Sequence, residues 1–535
     1  NGKKEPRVIK PPVEYVNPFI GTGGTGFGVG STFPGATLPF GMVKLSPDTT
    51  NQGIQPGFWH CAGYWYEDPE IRGFSHTHFS GTGVPDYGNV RFMPVIGINN
   101  EKTQEANYRT GYSHENESAE PGYYSVLLDS GVLVELTATT RAGFTRLTFP
   151  ETTEAYVLFD ISASIEKNTT EDSYVEIIPE SREIQGWIQH RGPMTGSGFK
   201  IFFSGVFNRE FNKFGTWNNN TLNPSVKIQQ GDSIGAYTGF VSDGIEPVLL
   251  KVGISYVSVE QARLNRETEI PHWDFDLVRT EAKEVWNQYL SIIEVEGGTE
   301  DERTMFYTAL YHTMMMPTVF TDVNGIYVGF DKQPHMAEGF TYYTDMSLWD
   351  TYRNLHSLFV LILPDRQRDM IISLLKMGEL NGNVIPKWPA ASGDSGSMVG
   401  SSADIVIADS FIKGITDFDT GLAFSMMDYT ANNPGTTRGG VLDCLQFQYC
   451  PADKMGGSVS LTLEYAYDDF AIAMFAKALG KENEYSQYFN RSRYYKNIFD
   501  ASTKFMRAKK SDGTWVTPFE PTKFAEEYVE GNAWH

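Results

Sequence analysis

The apolar residues change period about halfway along this chain, and that change limits what each half can fold into. From Tyr15 to about Tyr256, short runs rich in Val, Ile, Phe, Tyr and Thr alternate with Gly, Asn, Asp and Pro. Val126-Leu127-Leu128 and Val132-Leu133-Val134 flank Asp129-Ser130-Gly131, the pattern of two strands joined by a tight turn. Comparable runs follow at 156–161, 184–190, 199–207 and 248–256. Many short strands without a helical period predict a large β-sandwich over 15–258. Residues 1–14, polar, basic and Pro-containing, read as a tether.

Beyond this point the period is helical. Residues 260–265 and 275–290 read as connecting helices of a linker over 259–298. After Gly297-Gly298, the residues Phe306, Ala309, Leu310, Thr313 and Met314 recur at i, i+3, i+4, i+7 and i+8. Pro317 ends that helix. Further helices fit 345–363, 366–378, 403–414, 458–480 and 484–499. In the 458–480 segment, Ile472, Phe475, Ala476 and Leu479 form one stripe, and Gly480 suits the C-terminal cap. Alternating short and long loops, the long ones rich in Gly, Pro and Trp, predict a partial (α/α)6 toroid over 299–535, incomplete at residue 535, with a pocket built at one end. A chain of 535 residues needs more than one core, which this multidomain β plus α division supplies.

Composition excludes several partners. A net charge of −23 without any Lys or Arg run excludes nucleic acid and anionic membrane surfaces. The longest strongly apolar stretch, 358–363, is far too short to span a bilayer. No secretory leader opens the chain, and Asn1 in place of Met is what a processed or engineered product would show. The three cysteines are too few for a disulfide scaffold. Cys444 and Cys450 are near enough to pair in an oxidising compartment, or to remain two buried thiols, and Cys61 is left over.

Candidate chemistry is scattered. Gly21-Thr22-Gly23-Gly24-Thr25-Gly26 matches a dinucleotide fingerprint in form only, because Phe33-Pro34-Gly35 and Leu38-Pro39-Phe40-Gly41 forbid the helix that should follow. A tight loop whose amides approach a ligand or a neighbouring domain fits better. His76-Thr77-His78 puts two imidazoles on one face if extended, with Asp86 nearby. Three uses stay open: a metal site lacking a third ligand of recognisable spacing, hydrogen-bonded loop histidines, or contacts to a substrate hydroxyl. The aromatics of 58–66, Trp59 among them, fit either a core or a sugar subsite.

In Trp349-Asp350-Thr351-Tyr352-Arg353, Asp350 and Arg353 are i, i+3, while Trp349 and Arg353 are i, i+4, so the three can present together. Arg beside Asp keeps the carboxylate ionised and fit to bind vicinal hydroxyls, with Trp349 as a stacking wall. A capping acid with a surface ion pair is the plainer alternative. Asp404, Asp409, Glu464, Asp468 and Asp469 stand on otherwise apolar helices, each either a base or a paired structural acid. Pro386-Lys387-Trp388-Pro389 suits a rigid aromatic pocket rim. Glu530-Gly531-Asn532-Ala533-Trp534-His535 sets a carboxyl beside an amide, an indole and an imidazole. An acid catalyst there needs apolar surroundings to stay protonated, which Trp534 or Trp515 could give.

Several of these segments, in this order, resemble glycoside hydrolase family 92. The resemblance runs along nearly all of the chain. It rests on 17–22, Phe33-Pro34-Gly35-Ala36 with Pro39-Phe40-Gly41-Met42, 74–81, 345–353, 463–469 and Glu530-Gly531-Asn532-Ala533-Trp534. It implies a calcium-dependent, inverting, exo-acting α-mannosidase, periplasmic or secreted, that takes terminal mannose from glycans, with α-1,2 the expected linkage. It implies an N-terminal β-sandwich, a helical linker and an (α/α)6 catalytic domain, with Glu530 as general acid. Trp349, Asp350 and Arg353 are implied as binders of the terminal mannose and Trp59 as a platform near the subsites; His78, Trp388, Asn532, Trp534 and His535 join the candidate sugar contacts. The family's Gly-Asn-Asp-Asp-type base segment does not occur here, so the base, the leaving-sugar contacts and most calcium ligands are expected past His535. Other possibilities are a non-catalytic mannose- or glycan-binding protein, or another (α/α)6 glycosidase or phosphorylase.

Overall fold

The computed structural model describes residues 10–24, 31–50, 60–195 and 198–534. Trp59 and His535 lie outside the described residues, as do Thr25 and Gly26. The chain divides into two compact units, one of Asn1–Val328 with Pro334–Ala337, the other of Gly329–Gln333 with Glu338–His535.

The first unit is a β-sandwich of two antiparallel sheets. One sheet runs, neighbour to neighbour, Ile228–Gly231, Thr170–Ile178, Glu183–His190, Phe199–Phe207, Val248–Ser255, Ala142–Thr148, Leu133–Ala138, Tyr123–Leu128 and Thr110–Glu120. The other runs Thr221–Pro224, Lys213–Asn218, Ile234–Ser242, Thr152–Asp160, Arg91–Ile96, Glu70–Ser75 and Lys44–Thr50. Pairing of Glu70 with Gly111 carries one sheet into the other. The core lies between them. Phe159 stacks on Phe203 at 6.3 Å, and Phe207 meets Phe240 at 5.2 Å. Burying each such ring stabilises the fold by roughly 1.5–3 kcal/mol.

Three helices longer than ten residues belong to this unit among the described residues. Ser258 caps Val259–Glu269 through the Gln261 amide, and the helix settles onto the sheet at Gly253, where a Cβ would sit 2.1 Å from the Ala262 carbonyl oxygen. Phe275–Leu290 buries Phe275, Val278, Ala282, Trp286 and Leu290 along one face, and the Trp286 indole N–H donates to the Thr37 carbonyl at 2.7 Å. A reciprocal Thr299–Glu302 capping box starts Glu300–Thr313.

The second unit is helical. Ser458–Ala478 is its longest helix and packs against Ala403–Ile412, Thr420–Asn432 and Glu482–Arg491. Gly480, at φ +73°, closes it, with the Lys481 amide returning to the Ala476 carbonyl. The one helix expected over 345–363 is two, Leu348–Thr351 and Leu355–Ile362, because Asn354 leaves helical geometry at φ −153°. Pro364 opens the next helix, Pro364–Leu380. The segment expected at 484–499 is Glu482–Arg491 followed by a 3-10 turn, Tyr494–Ile498. Cys444 and Cys450 form a disulfide, while Cys61 is a buried free thiol. Among the described residues no helix is long and apolar enough to cross a membrane.

Candidate active site

Two loops of the second unit bring its unusual charges together. Asp345, buried and at φ +58°, accepts the Ala391 amide at 3.0 Å. The Met346 amide donates to the Pro389 carbonyl. These bonds fix the start of Leu348–Thr351, which carries Trp349 and Asp350, with Arg353 in the turn that follows. The Arg353 guanidinium lies 4.5 Å from the Trp349 ring centroid and 4.9 Å from that of Tyr352. Such faces attract a cation by about 0.5–2 kcal/mol. Arg353 completes no ion pair or hydrogen bond with the described residues, so its five N–H donors stay available.

The second loop carries Glu530. The amides of Gly457 and Val459 donate to the carbonyls of Glu526 and Glu527, and the Val529 amide donates to Ser460 Oγ. Tyr528 packs with Tyr449, Val459 and Ile498, and its hydroxyl donates to the Met506 carbonyl at 2.6 Å. The segment is thereby laid along the first turn of Ser458–Ala478. Glu530 itself adopts φ +53°, a conformation uncommon for a non-glycine residue and concentrated at functional sites. Its negative charge reaches Asp350. Partial burial raises the Asp350 pKa, Arg353 pulls it back, and Glu530 adds to the rise. Asp350 is solvent-exposed and yet closely surrounded, as a group in an open depression would be.

Behind these residues stands a buried acidic network. Glu464, on the second turn of Ser458–Ala478, is raised by burial and held back by Arg353 and by the Trp349 indole N–H. Asp468, one turn further on, is without exposure. Its Oδ2 accepts the Ser401 amide at 2.8 Å and Ser401 Oγ at 3.1 Å. Burial pushes its pKa up to about 8 against the pull of Arg438. Arg438, equally buried, donates to Asp404 at 3.0 Å and to Asp469 at 2.6 Å. Gly400, at φ +82°, leaves the gap in front, since a Cβ there would come within 3.3 Å of both Glu464 Oε2 and Asp468 Oδ2.

The candidates named from sequence separate clearly. Trp349, Asp350, Arg353 and Glu530 converge. Asp404 and Asp469 are structural, held by Arg438, with Arg491 also on Asp469 at 2.8 Å. Asp409 pairs with Lys413 at 2.7 Å. Several expectations are corrected. His78 is no sugar contact: it is buried, with Nδ1 on the Lys44 carbonyl at 2.7 Å and Nε2 shared by Asp48 and Ser75. Trp388 is not a rim residue, because only 3% of it is exposed. Asn532 uses its amide within its own loop, donating to the Thr522 carbonyl and accepting the Trp534 amide. Glu530 is exposed, not sheltered by indoles, and Trp534, 67% exposed, rests edge-on against Phe505. Sequence reasoning missed Tyr352, Ser401, Arg438 and the gap at Gly400; the only local signal was glycine itself.

The histidine segment holds no metal set. His76 gives Nδ1 to the Val90 carbonyl, and Asp86 accepts the Met194 amide. Among the described residues no group of three or more His, Cys, Asp or Glu side chains comes together to hold a metal ion. A calcium ion held by these residues would need carbonyl or hydroxyl oxygens besides carboxylates.

Residues 15–255 match the glycosyl hydrolase family 92 N-terminal domain, and residues 261–535 match the family's catalytic domain. A family GH92 α-mannosidase from Bacteroides thetaiotaomicron, also solved with mannoimidazole, is 33% identical with a TM-score of 0.91, over 98% of this chain and 70% of its own. An inverting mannosidase of that family from the same bacterium is 31% identical with a TM-score of 0.90, over 99% and 71%. A protein of Arthroderma benhamiae described as an uncharacterized secreted glycosidase is 29% identical over 551 residues; the match takes in 95% of this chain and 65% of that relative, so the chain spans about two thirds of its length. Two domain models matched in order along nearly the whole sequence, and a solved member sharing a third of its residues, carry one conclusion: the chain belongs to glycosyl hydrolase family 92.

Proposed function

We propose that the protein is an exo-acting α-mannosidase that hydrolyses terminal α-linked mannose in glycans, α-1,2 linkages first, by single displacement with inversion. One observation carries the reading. Asp350, Arg353 and Glu530 are ionisable side chains within electrostatic reach of one another, Arg353 stacks on the Trp349 indole, and none forms an ion pair with the described residues. Elsewhere in this unit the buried acids Asp404 and Asp469 are paired. Charges that the fold leaves unmatched are available to a polar ligand.

In this reading Trp349 offers its face to the sugar's C–H surface. Asp350 accepts hydrogen bonds from vicinal hydroxyls, and Arg353 donates to ring or hydroxyl oxygens. Glu530 gives its proton to the departing glycosidic oxygen. Inversion requires a second carboxylate to activate water across the ring, about 6.5–9.5 Å away; none of these residues is assigned that part. Calcium, when bound, would supply an oxygen-seeking charge for sugar hydroxyls. Export from the cytoplasm fits the disulfide and the secreted relative.

The test is release of mannose from an aryl α-mannoside by the full-length protein, with EDTA and with calcium restored, the first-formed anomer followed by NMR. Calcium-dependent release of the β-anomer is expected. Mannose bound but never released would move the assignment to a glycan-binding protein, with Trp349, Asp350 and Arg353 as recognition residues alone.

A further inference from the structure

Resting on that reading of the Trp349–Arg353 wall, we propose that Glu464 is a positioning residue that sets the angle of the Trp349 indole and, through it, the place of the Arg353 guanidinium. Glu464 touches no sugar in this assignment; it acts through the two residues that do.

The geometry is a relay across two elements. Glu464 sits on the second turn of Ser458–Ala478, and Trp349 on the short helix Leu348–Thr351. Glu464 Oε2 and Trp349 Nε1 are both shielded from water, and neither completes a hydrogen bond with any described residue, the other included. They face each other closely enough for the indole N–H to draw down the proton affinity of the carboxyl. A buried indole N–H ordinarily finds an acceptor, and this carboxylate is the one poised to take it. The Arg353 guanidinium stacks 4.5 Å from the same ring, so it moves with the indole. Its charge also acts on Glu464, though without contact close enough for an ion pair. Gly400 gives the carboxylate its room: a Cβ there would stand 3.2 Å from Glu464 Cβ. Asp404 on Ala403–Ile412 and Asp469 on the same helix as Glu464 cannot serve, because Arg438 holds both.

The experiment compares E464Q, E464A, W349F and the E464A/W349F double variant in the full-length protein. E464Q keeps an acceptor for the indole, so its KM for an aryl α-mannoside should rise about threefold, while that of E464A should rise about tenfold, or about 1.4 kcal/mol. The kcat of both should stay within about twofold of wild type. In the double variant E464A should add no more than about twofold to the effect of W349F. An effect of E464A on kcat alone, an unchanged KM, or full additivity with W349F overturns the proposal. Crystal structures of wild type and E464A give a substrate-free readout. A rotated Trp349 ring with a displaced Arg353 is expected, and superimposable side chains overturn the proposal. If wild type releases no mannose, the mannosidase reading fails by itself, and the crystal comparison still decides the role of Glu464.

Discussion

Asp468→Asn should make the protein more stable at alkaline pH and leave it nearly unchanged in acid. Asp468 has no exposure, and only its Oδ2 is satisfied, by the amide and hydroxyl of Ser401. Its Oδ1 has no partner. Burial raises its pKa from 3.8 to about 8, with Arg438 opposing and Asp404 and Glu464 adding to the rise. A raised acid is one whose neutral form the fold prefers. The stability this preference contributes is full below pH 3.8 and is lost as the pH climbs through 8. Each tenfold step in proton affinity is worth about 1.4 kcal/mol, so the whole passage is worth on the order of 5 kcal/mol. Asp404, raised to about 6 beside the same arginine, titrates together with Asp468, and the loss accumulates from about pH 4 to 8.

Asparagine keeps the shape and the acceptor for Ser401 and is neutral throughout. Urea unfolding of wild type and D468N at pH 5, 7 and 9, followed by near-ultraviolet circular dichroism, measures the gap. Groups that titrate in both proteins cancel in the difference. The gap should be small at pH 5 and should favour the variant by several kcal/mol at pH 9. A gap independent of pH, or one that favours wild type more as pH rises, would mean that Asp468 is ionised in the folded state and that Arg438 compensates it fully.

Two further substitutions separate catalysis from structure. Glu530→Gln should lower kcat on mannosides with poor leaving groups by roughly 10²–10⁴ and on activated aryl mannosides far less; equal loss on both would deny Glu530 the role of proton donor. His78→Ala should strip buried Asp48, Ser75 and the Lys44 carbonyl of a partner and lower stability by about 1–3 kcal/mol. Its KM for mannosides, measured on folded protein, should not move, and a raised KM at unchanged stability would return His78 to the sugar site.

The parts of this molecule legible in sequence are the local ones. The hairpin at 126–134 appears as Tyr123–Leu128 and Leu133–Ala138, because alternation and a Gly-containing turn act within a dozen residues. Arg353 stacks on Trp349, the pair that i, i+4 spacing singles out, although the helix stops at Thr351 and Arg353 stands in the turn after it. The break at Asn354 was not legible, since the apolar period continues across it. Trp388 and Asn532 were misplaced for a related reason. A tryptophan between prolines, or an asparagine after a glycine, suits a pocket rim and a buried turn equally well until its neighbours are known.

The acids show where local reasoning must stop. Asp404, Glu464 and Asp469 all stand on apolar helices and are indistinguishable by type or spacing. What separates them is Arg438, 34 residues from Asp404 and 31 from Asp469, and Arg491, 22 from Asp469. Those arginines neutralise two of the acids and leave Glu464 facing an indole N–H and a stacked guanidinium. Burying an unpaired charge costs several kcal/mol, so a fold pairs the acids it can and keeps the remainder exposed, protonated or turned toward a ligand. Asp350 and Glu530 remain exposed, the fold favours the protonated form of Asp468, and Glu464 is turned toward the wall that Asp350 shares. Function in this unit is therefore read from the charges that tertiary structure leaves unmatched, and a sequence without its long-range pairs cannot say which those are.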